Sequence, residues 1–288
     1  MFWSALANGL ALGAIYALVG AGLNLIFGVV KVINFAQGAL VMMGVYAVYW
    51  FAELTGMDPY LSLPLVVLFL GVFGYFVQLG IINRVLTQER TSQLLITFGL
   101  GMVIENGALA LWGPNHRSVL TFISDDILIL GDARIRLVSV VAIFGAAAAV
   151  GLLLWFLDFT RVGTAIRAVA QQPDSAELSG INVKRIYSYA FAMGAATTGF
   201  AAVLIAPIYD IQPLVGEVFG VMAFIVVVLG GLGNVAGAAI AGVFLGLAQT
   251  LFATYVDPQM AVAFVFALFL VILFIRPTGI FGRALRVA

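Results

Sequence analysis

Apolar residues run along this chain in unbroken blocks of helical length, separated by short polar stretches. Blocks cover 5–30, 32–51, 61–82, 93–112, 137–157 and 186–206, then a double-length run at 218–252 and a last block at 261–275. A hydrocarbon core about 30 Å thick takes about 20 apolar residues per helix, and it tolerates only backbone whose polar groups are paired inside the protein. Barrel strands of about 10 residues with strict alternation do not fit these continuous runs. The pattern predicts an all-α, polytopic membrane protein of about eight hydrophobic segments, some of them broken or re-entrant, in a single domain over 1–288. The first block lacks a basic leader at 1–6, so it reads as a permanent span rather than a cleaved signal.

Composition narrows the chemistry. Of 288 residues, 64% are hydrophobic and 9% charged, with 13 Lys and Arg balancing 13 Asp and Glu, against about half and a quarter in a soluble domain. No basic face is available to neutralise phosphates, which argues against nucleic-acid partners. With no Cys and a single His, His116, thiolate metal sites, disulfides and cysteine nucleophiles are excluded. No Ser-His-Asp arrangement or pair of catalytic carboxylates can be assembled, so no enzyme and no resident cofactor are expected.

Loop charges sort the two membrane faces. Arg84 and Arg90, then Arg161, Arg167, Lys184 and Arg185, then Arg276, Arg283 and Arg286, mark cytoplasmic segments by the positive-inside rule. Loops carrying Glu53, Asp58, Asp210, Glu217 and Asp257 have no Lys or Arg and belong outside. The mixed loop 113–136 falls outside by alternation, and the chain reads N-terminus out, C-terminus in. Within the long run, Gly230-Gly-Leu-Gly-Asn234 breaks the helix; two full spans and a re-entrant pair both satisfy the parity.

Glycine, with 32 residues, serves mainly close helix packing. A faint repeat links Gly38-Ala-Leu-Val to Gly237-Ala-Ala-Ile, each following an Asn at a break, Asn34 and Asn234. Paired broken helices of that kind line the path in transporters with internal repeats. Asn34, Gln37, Gly38 and Asn234 are therefore the candidate translocation residues, with Asn34 and Gln37 expected near the cytoplasmic side. Glu105 is the one carboxylate well inside a predicted span. A proton or cation site is its sharp reading; a local hydrogen bond to Asn106 or the backbone is the alternative, favoured by the lack of a basic partner.

The segment 158–185 is the least membrane-like stretch between spans. Thr160 can cap a short helix over 161–170, which Gln172-Pro173 stops. Asp174-Ser-Ala-Glu177 has the form of a capping box opening a second helix that Gly180 closes. A knuckle of this shape suits docking to a cytoplasmic partner as well as it suits lying on anionic headgroups.

Four separated stretches tip that balance: Thr160-Arg-Val-Gly-Thr-Ala-Ile-Arg-Ala168 with Asp174, Ala176, Leu178 and Gly180-Ile181; Gly28-Val-Val-Lys-Val-Ile-Asn-Phe-Ala-Gln-Gly38; Gly230-Gly-Leu-Gly-Asn234; and Arg276-Pro-Thr-Gly-Ile-Phe-Gly282. Together, in this order across nearly the whole chain, they resemble the permeases of ABC importers for leucine, isoleucine and valine, the first of the two permease types. The resemblance implies a homologous second permease, two cytoplasmic ATPases that bind the ATP, an extracytoplasmic substrate-binding protein, and a bacterial plasma (inner) membrane. It implies that 160–181 is the ATPase-coupling element, carried by Arg161, Gly163, Arg167, Ala168, Asp174, Ala176, Glu177 and Gly180. No Gly-x-x-x-x-Gly-Lys-[Ser/Thr] loop occurs in the chain, in keeping with energy supplied by other subunits. An ion-gradient transporter and a passive channel remain the alternative classes. Within the family, importers of urea, short amides or aromatic acids look similar.

Overall fold

Each apolar block folds as a helix, and the breaks fall where backbone chemistry demands them. The computed structural model describes residues 2–86, 88–130 and 133–282. Helix α1 (Phe2–Val30) ends at Lys31, whose φ of 62° is left-handed and incompatible with helix continuation. The next helix, α2 (Gln37–Thr55), starts well after the predicted position 32, because residues 31–36 are non-helical, ending in a turn in which Asn34 sets its side-chain oxygen onto the Ala36 N–H at 3.2 Å.

A 3₁₀ turn (Pro59–Ser62), helix α3 (Leu63–Val77), a π-helical turn (Gln78–Ile82) and the short α4 (Asn83–Val85) form one continuous span, Pro59–Val85. Asp58 caps its start, accepting from Tyr60 N–H at 2.9 Å. Then come α5 (Arg90–Trp112), α6 (Leu137–Phe159), α7 (Arg161–Gln171), α8 (Pro173–Leu178), α9 (Val183–Ile205), α10 (Val215–Gly230), α11 (Val235–Tyr255) and α12 (Ala261–Ile275). Among the described residues seven helices are long and apolar enough to cross a membrane, and α10 and α12 are shorter apolar helices. The double-length run is resolved into two helices joined by a tight turn.

The all-α expectation needs one amendment. The loop before α6 holds an antiparallel hairpin, β1 (Ile127–Leu130) with β2 (Ala133–Arg136), in which Leu128 pairs with Ile135.

Helix α1 is the axis of the bundle, packed by α11, α9, α6 and α10. Small residues set its closest contacts: a Cβ on Gly242 or Gly246 would strike the backbone of α1 at Ala17 or Gly13. Lipid offers no hydrophobic drive for association, so such backbone-to-backbone approach supplies the packing energy. At the other extreme α5 is attached mainly through α2 and leaves one face bare, with Phe98, Met102 and Leu109 exposed.

Candidate translocation path and coupling element

Residues 31–36 run back into the bundle. At the end of α1, Gly28 lies against Gly233. By Gln37 the chain has climbed to Val19, whose carbonyl accepts from the Gln37 Nε2 at 3.4 Å. Eleven helical residues separate Val19 from Val30, about 16 Å of rise, a distance that the six intervening residues and the Gln37 side chain cover together. Asn34 and Gln37 therefore sit beside the middle of α1, deeper than the expected position near its cytoplasmic end.

Non-helical backbone at this depth requires partners, and the structure supplies them. Thr97 Oγ1 donates to the Ile33 carbonyl at 3.2 Å, and Gln37 N–H to the Asn34 carbonyl at 3.3 Å. Gln37 Nε2 also donates to Thr198 Oγ1 at 2.7 Å, while Asn34 Nδ2 donates to Gln37 Oε1 at 3.4 Å. Both amides are almost completely buried. Gly38 packs on Gly216 and Gly220, whose missing side chains allow α2 and α10 to meet.

The non-helical segment forms one wall of a cavity of about 320 Å³. Leu23 of α1, the start of α2, Phe98 to Glu105 of α5, and Glu217 to Phe224 of α10 complete it. Three of the sequence-derived path residues, Asn34, Gln37 and Gly38, line it together, and Glu105 joins them. Among the described residues the only other charged one lining it is Glu217, which the sequence had placed in an outer loop. Phe35 stacks on Phe224 with centroids 6.3 Å apart. The cavity lies on the bare face of the bundle, where Phe98, Met102 and Val221 are all more than 40% exposed.

Asn234 lies elsewhere. It caps α11, accepting from Gly237 N–H at 3.0 Å, and donates to the Phe281 carbonyl at 3.3 Å. Asn24, fully buried on α1, clamps the same turn: its Nδ2 donates to the carbonyls of Gly231 at 3.1 Å and Asn234 at 2.8 Å, and its Oδ1 accepts from Gly233 N–H at 2.6 Å. Ile280 N–H adds a bond to the Leu229 carbonyl at 2.7 Å. The two breaks that look alike in sequence thus differ in space: the first lines the cavity, and the second is a tied turn at the end of the bundle.

The predicted knuckle is present. Thr160 Oγ1 accepts from Gly163 N–H at 3.0 Å and opens α7, which buries Ile166 and Val169 against α1, α6 and α9. Gly163 is obligatory, since a Cβ there would collide with the Phe156 and Leu157 carbonyls. Arg167 pairs with Asp158, and Arg161 is exposed. The expected capping box is absent: Pro173 occupies the first helical position, so Gln172 takes the cap and Asp174 falls inside the first turn of α8. Gly180, with φ of 83°, ends α8, and Ile181 N–H returns to the Ala176 carbonyl at 3.1 Å. Ala176 is buried and Ala168 half-buried, Asp174 and Glu177 are exposed, and Leu178 stands at the tip, 92% exposed.

A family model described as the permease component of the branched-chain amino acid transport system matches residues 5–273. The chain belongs to this family. It is 31% identical to the high-affinity branched-chain amino acid transport system permease protein BraD of Pseudomonas aeruginosa, over 96% of this chain and 95% of that protein. It is 30% identical to the corresponding protein LivH of Salmonella typhimurium, over 98% and 96%. The fructose import permease protein FrcC of Rhizobium meliloti is more distant, 28% identical over 81% of this chain and 68% of its own length.

In this transport permease the four sequence motifs therefore collapse onto three places: the re-entrant segment, the α7–α8 knuckle, and a knot in which 230–234 and 276–282 are tied to each other. Sequence reasoning missed Asn24 as the clamp of that knot and Glu217 as a cavity residue. Asn24 is a single amide within an apolar run, and the carbonyls it clamps lie 207 and 210 residues away in sequence. Glu217 carries no local signal, since the depth at which α10 begins depends on the loop before it.

Proposed function

We propose that the chain is the membrane-spanning permease subunit of an ATP-driven ABC importer, carrying branched-chain or closely related amino acids across a bacterial plasma membrane by alternating access. The supporting observation is the cavity at the middle of the bundle: a re-entrant segment, two buried amides and two carboxylates open onto a bare apolar face. Irregular backbone at membrane depth is held only where it is buried or lines a cavity, and a polar cavity facing lipid would be costly. A homologous second permease covers that face in this reading, so that each subunit contributes half of the path. Asn34, Gln37 and Gly38 form this half.

Two cytoplasmic ATPases seat on α7 and α8. Leu178 enters an apolar pocket of the ATPase, with Asp174, Glu177 and Arg161 around it, and closure of the ATPase pair pushes α7 against α1, α6 and α9. Asn234 and its knot border α7 and pass the displacement to α10, whose other end carries Glu217. The N-terminus lies outside, the C-terminus inside, and an extracytoplasmic binding protein delivers the amino acid to the hairpin side. Hydrolysis of ATP belongs to the partners.

The test is purification of the tagged chain from its host in mild detergent, with ATPase rate measured with and without binding protein and leucine. Recovery of a second permease and two ATPases with leucine-stimulated hydrolysis supports the importer. A chain that purifies alone and moves solute in liposomes along an ion gradient overturns it.

A further inference from the structure

The cavity is chemically polarised. Helix α5 runs alongside the re-entrant segment in the same direction, since Thr97 bonds to Ile33, Gly101 touches Ala36 and Trp112 stacks on Tyr46. Helix α10 runs the opposite way, parallel to α1, with Phe219 against Tyr16 and the turn after Gly230 held by Asn24. On α5, Phe98 and Glu105 are seven residues apart; on α10, Glu217 and Phe224 are seven apart. Seven residues make about two turns, or 10 Å, on one face. Because the helices are antiparallel, both carboxylates fall at one end of the cavity, and both phenylalanines, with Phe35 stacked on Phe224, fall at the other.

We propose that Glu105 and Glu217 recognise the ammonium group of the transported amino acid, while Phe35, Phe98 and Phe224 receive its apolar side chain. This rests on the importer reading above and gives it a specificity rule: this half of the path selects a solute with a cationic amine at one end and a hydrocarbon at the other. No Lys or Arg among the described lining residues competes for the carboxylates or pairs with the carboxylate of the solute. An ammonium beside Glu105, which is half-buried, and Glu217 adds the attraction of opposite charges to its hydrogen bonds, which a neutral amide, urea or sugar cannot supply.

The experiment uses the complete complex in proteoliposomes, with leucine-loaded binding protein supplied at saturation. Glu105→Gln and Glu105→Asp are compared, each also with Glu217→Gln. If the charge holds the ammonium, Glu105→Gln lowers leucine import about tenfold, the scale of one lost charge-assisted bond, and Glu105→Asp retains most of it. ATP hydrolysis stimulated by the loaded binding protein persists in Glu105→Gln, since the coupling element is untouched. Equal import by wild type and by the Glu105→Gln, Glu217→Gln double variant overturns the proposal. So does a result in which Gln preserves import and Asp loses it, the pattern of a purely structural hydrogen bond. Failure of the wild-type complex to hydrolyse ATP in response to leucine strikes instead at the importer reading, and the two failures are thereby told apart. Thermal melting of each variant in detergent serves as the folding control.

Discussion

Asn24 and Asn234 are 210 residues apart in sequence and joined in space by a 2.8 Å hydrogen bond from the Asn24 Nδ2 to the Asn234 carbonyl. With the bonds that Asn24 donates to the Gly231 carbonyl and accepts from the Gly233 N–H, it fixes the α10–α11 turn to the C-terminal half of α1. The turn then serves as the dock for 279–282, where Gly279 takes a φ of 84° against the Val228 carbonyl.

Removing the clamp leaves the Gly233 N–H without its partner and takes one of two hydrogen bonds from each of the Gly231 and Asn234 carbonyls, which keep those from the Asn234 and Ala238 N–H groups. Asn24→Ala is expected to destabilise the protein by about 1–3 kcal/mol, the cost of one donor left without its partner. Asn24→Asp keeps the acceptor for Gly233 but sets a buried carboxylate oxygen against the Gly231 and Asn234 carbonyl oxygens, so its loss is at least as large. Thermal unfolding in detergent, followed by size-exclusion of the monodisperse fraction, measures both.

Gly38 and Gly216 touch across α2 and α10. Gly216→Val drives a branched side chain into the Gly38 carbonyl and is expected to cost about 1–3 kcal/mol by overpacking while narrowing the cavity. Import should fall further than thermal stability alone explains, which uptake assays normalised to folded protein detect. Gly80→Ala is the matched control, because nothing lies near a Cβ there.

At the tip of the knuckle Leu178 has no packing role within the chain. Leu178→Asp is expected to leave melting unchanged to within about 0.5 kcal/mol, as surface substitutions do, and to lower the amount of ATPase recovered with the tagged chain by about tenfold. If ATPase recovery is unaffected, the tip is not the anchor.

The Arg167–Asp158 pair is largely solvent-exposed. Its contribution to stability is small, about 0–1 kcal/mol, so Arg167→Ala should melt close to wild type. The expected effect is on coupling: more ATP hydrolysed per leucine imported, read by measuring both rates in one proteoliposome preparation.

The chain contains no cysteine, which makes single-cysteine probes clean. Met102→Cys and Val221→Cys lie on the bare face beside the cavity. Both should crosslink to a second permease in native membranes with a short bifunctional reagent, whereas Phe274→Cys, 92% exposed on α12, should not.

Much of this architecture is written in one-dimensional patterns. Hydrophobic blocks gave the spans because a bilayer demands about 20 apolar residues per crossing. The knuckle was legible because caps and stops act over three or four residues: Thr160 reaches Gly163, and Gly180 supplies the left-handed residue that ends α8. One local reading failed for an equally local reason, since Pro173 displaced the cap from Asp174 to Gln172.

Only the tertiary structure decided how the breaks are used. Asn34 and Asn234 follow similar breaks, yet whether a break dips into the bundle or turns at its end depends on partners far along the chain: Thr97 and Val19 for the first, Asn24 and Ile280 for the second. The meeting of Glu105 with Glu217 depends likewise on the depth at which α10 begins and on its direction against α5. Sequence periodicity determines which faces are apolar. The pairing of buried polar groups, which must be satisfied by whatever residues the fold brings near, determined where the path lies.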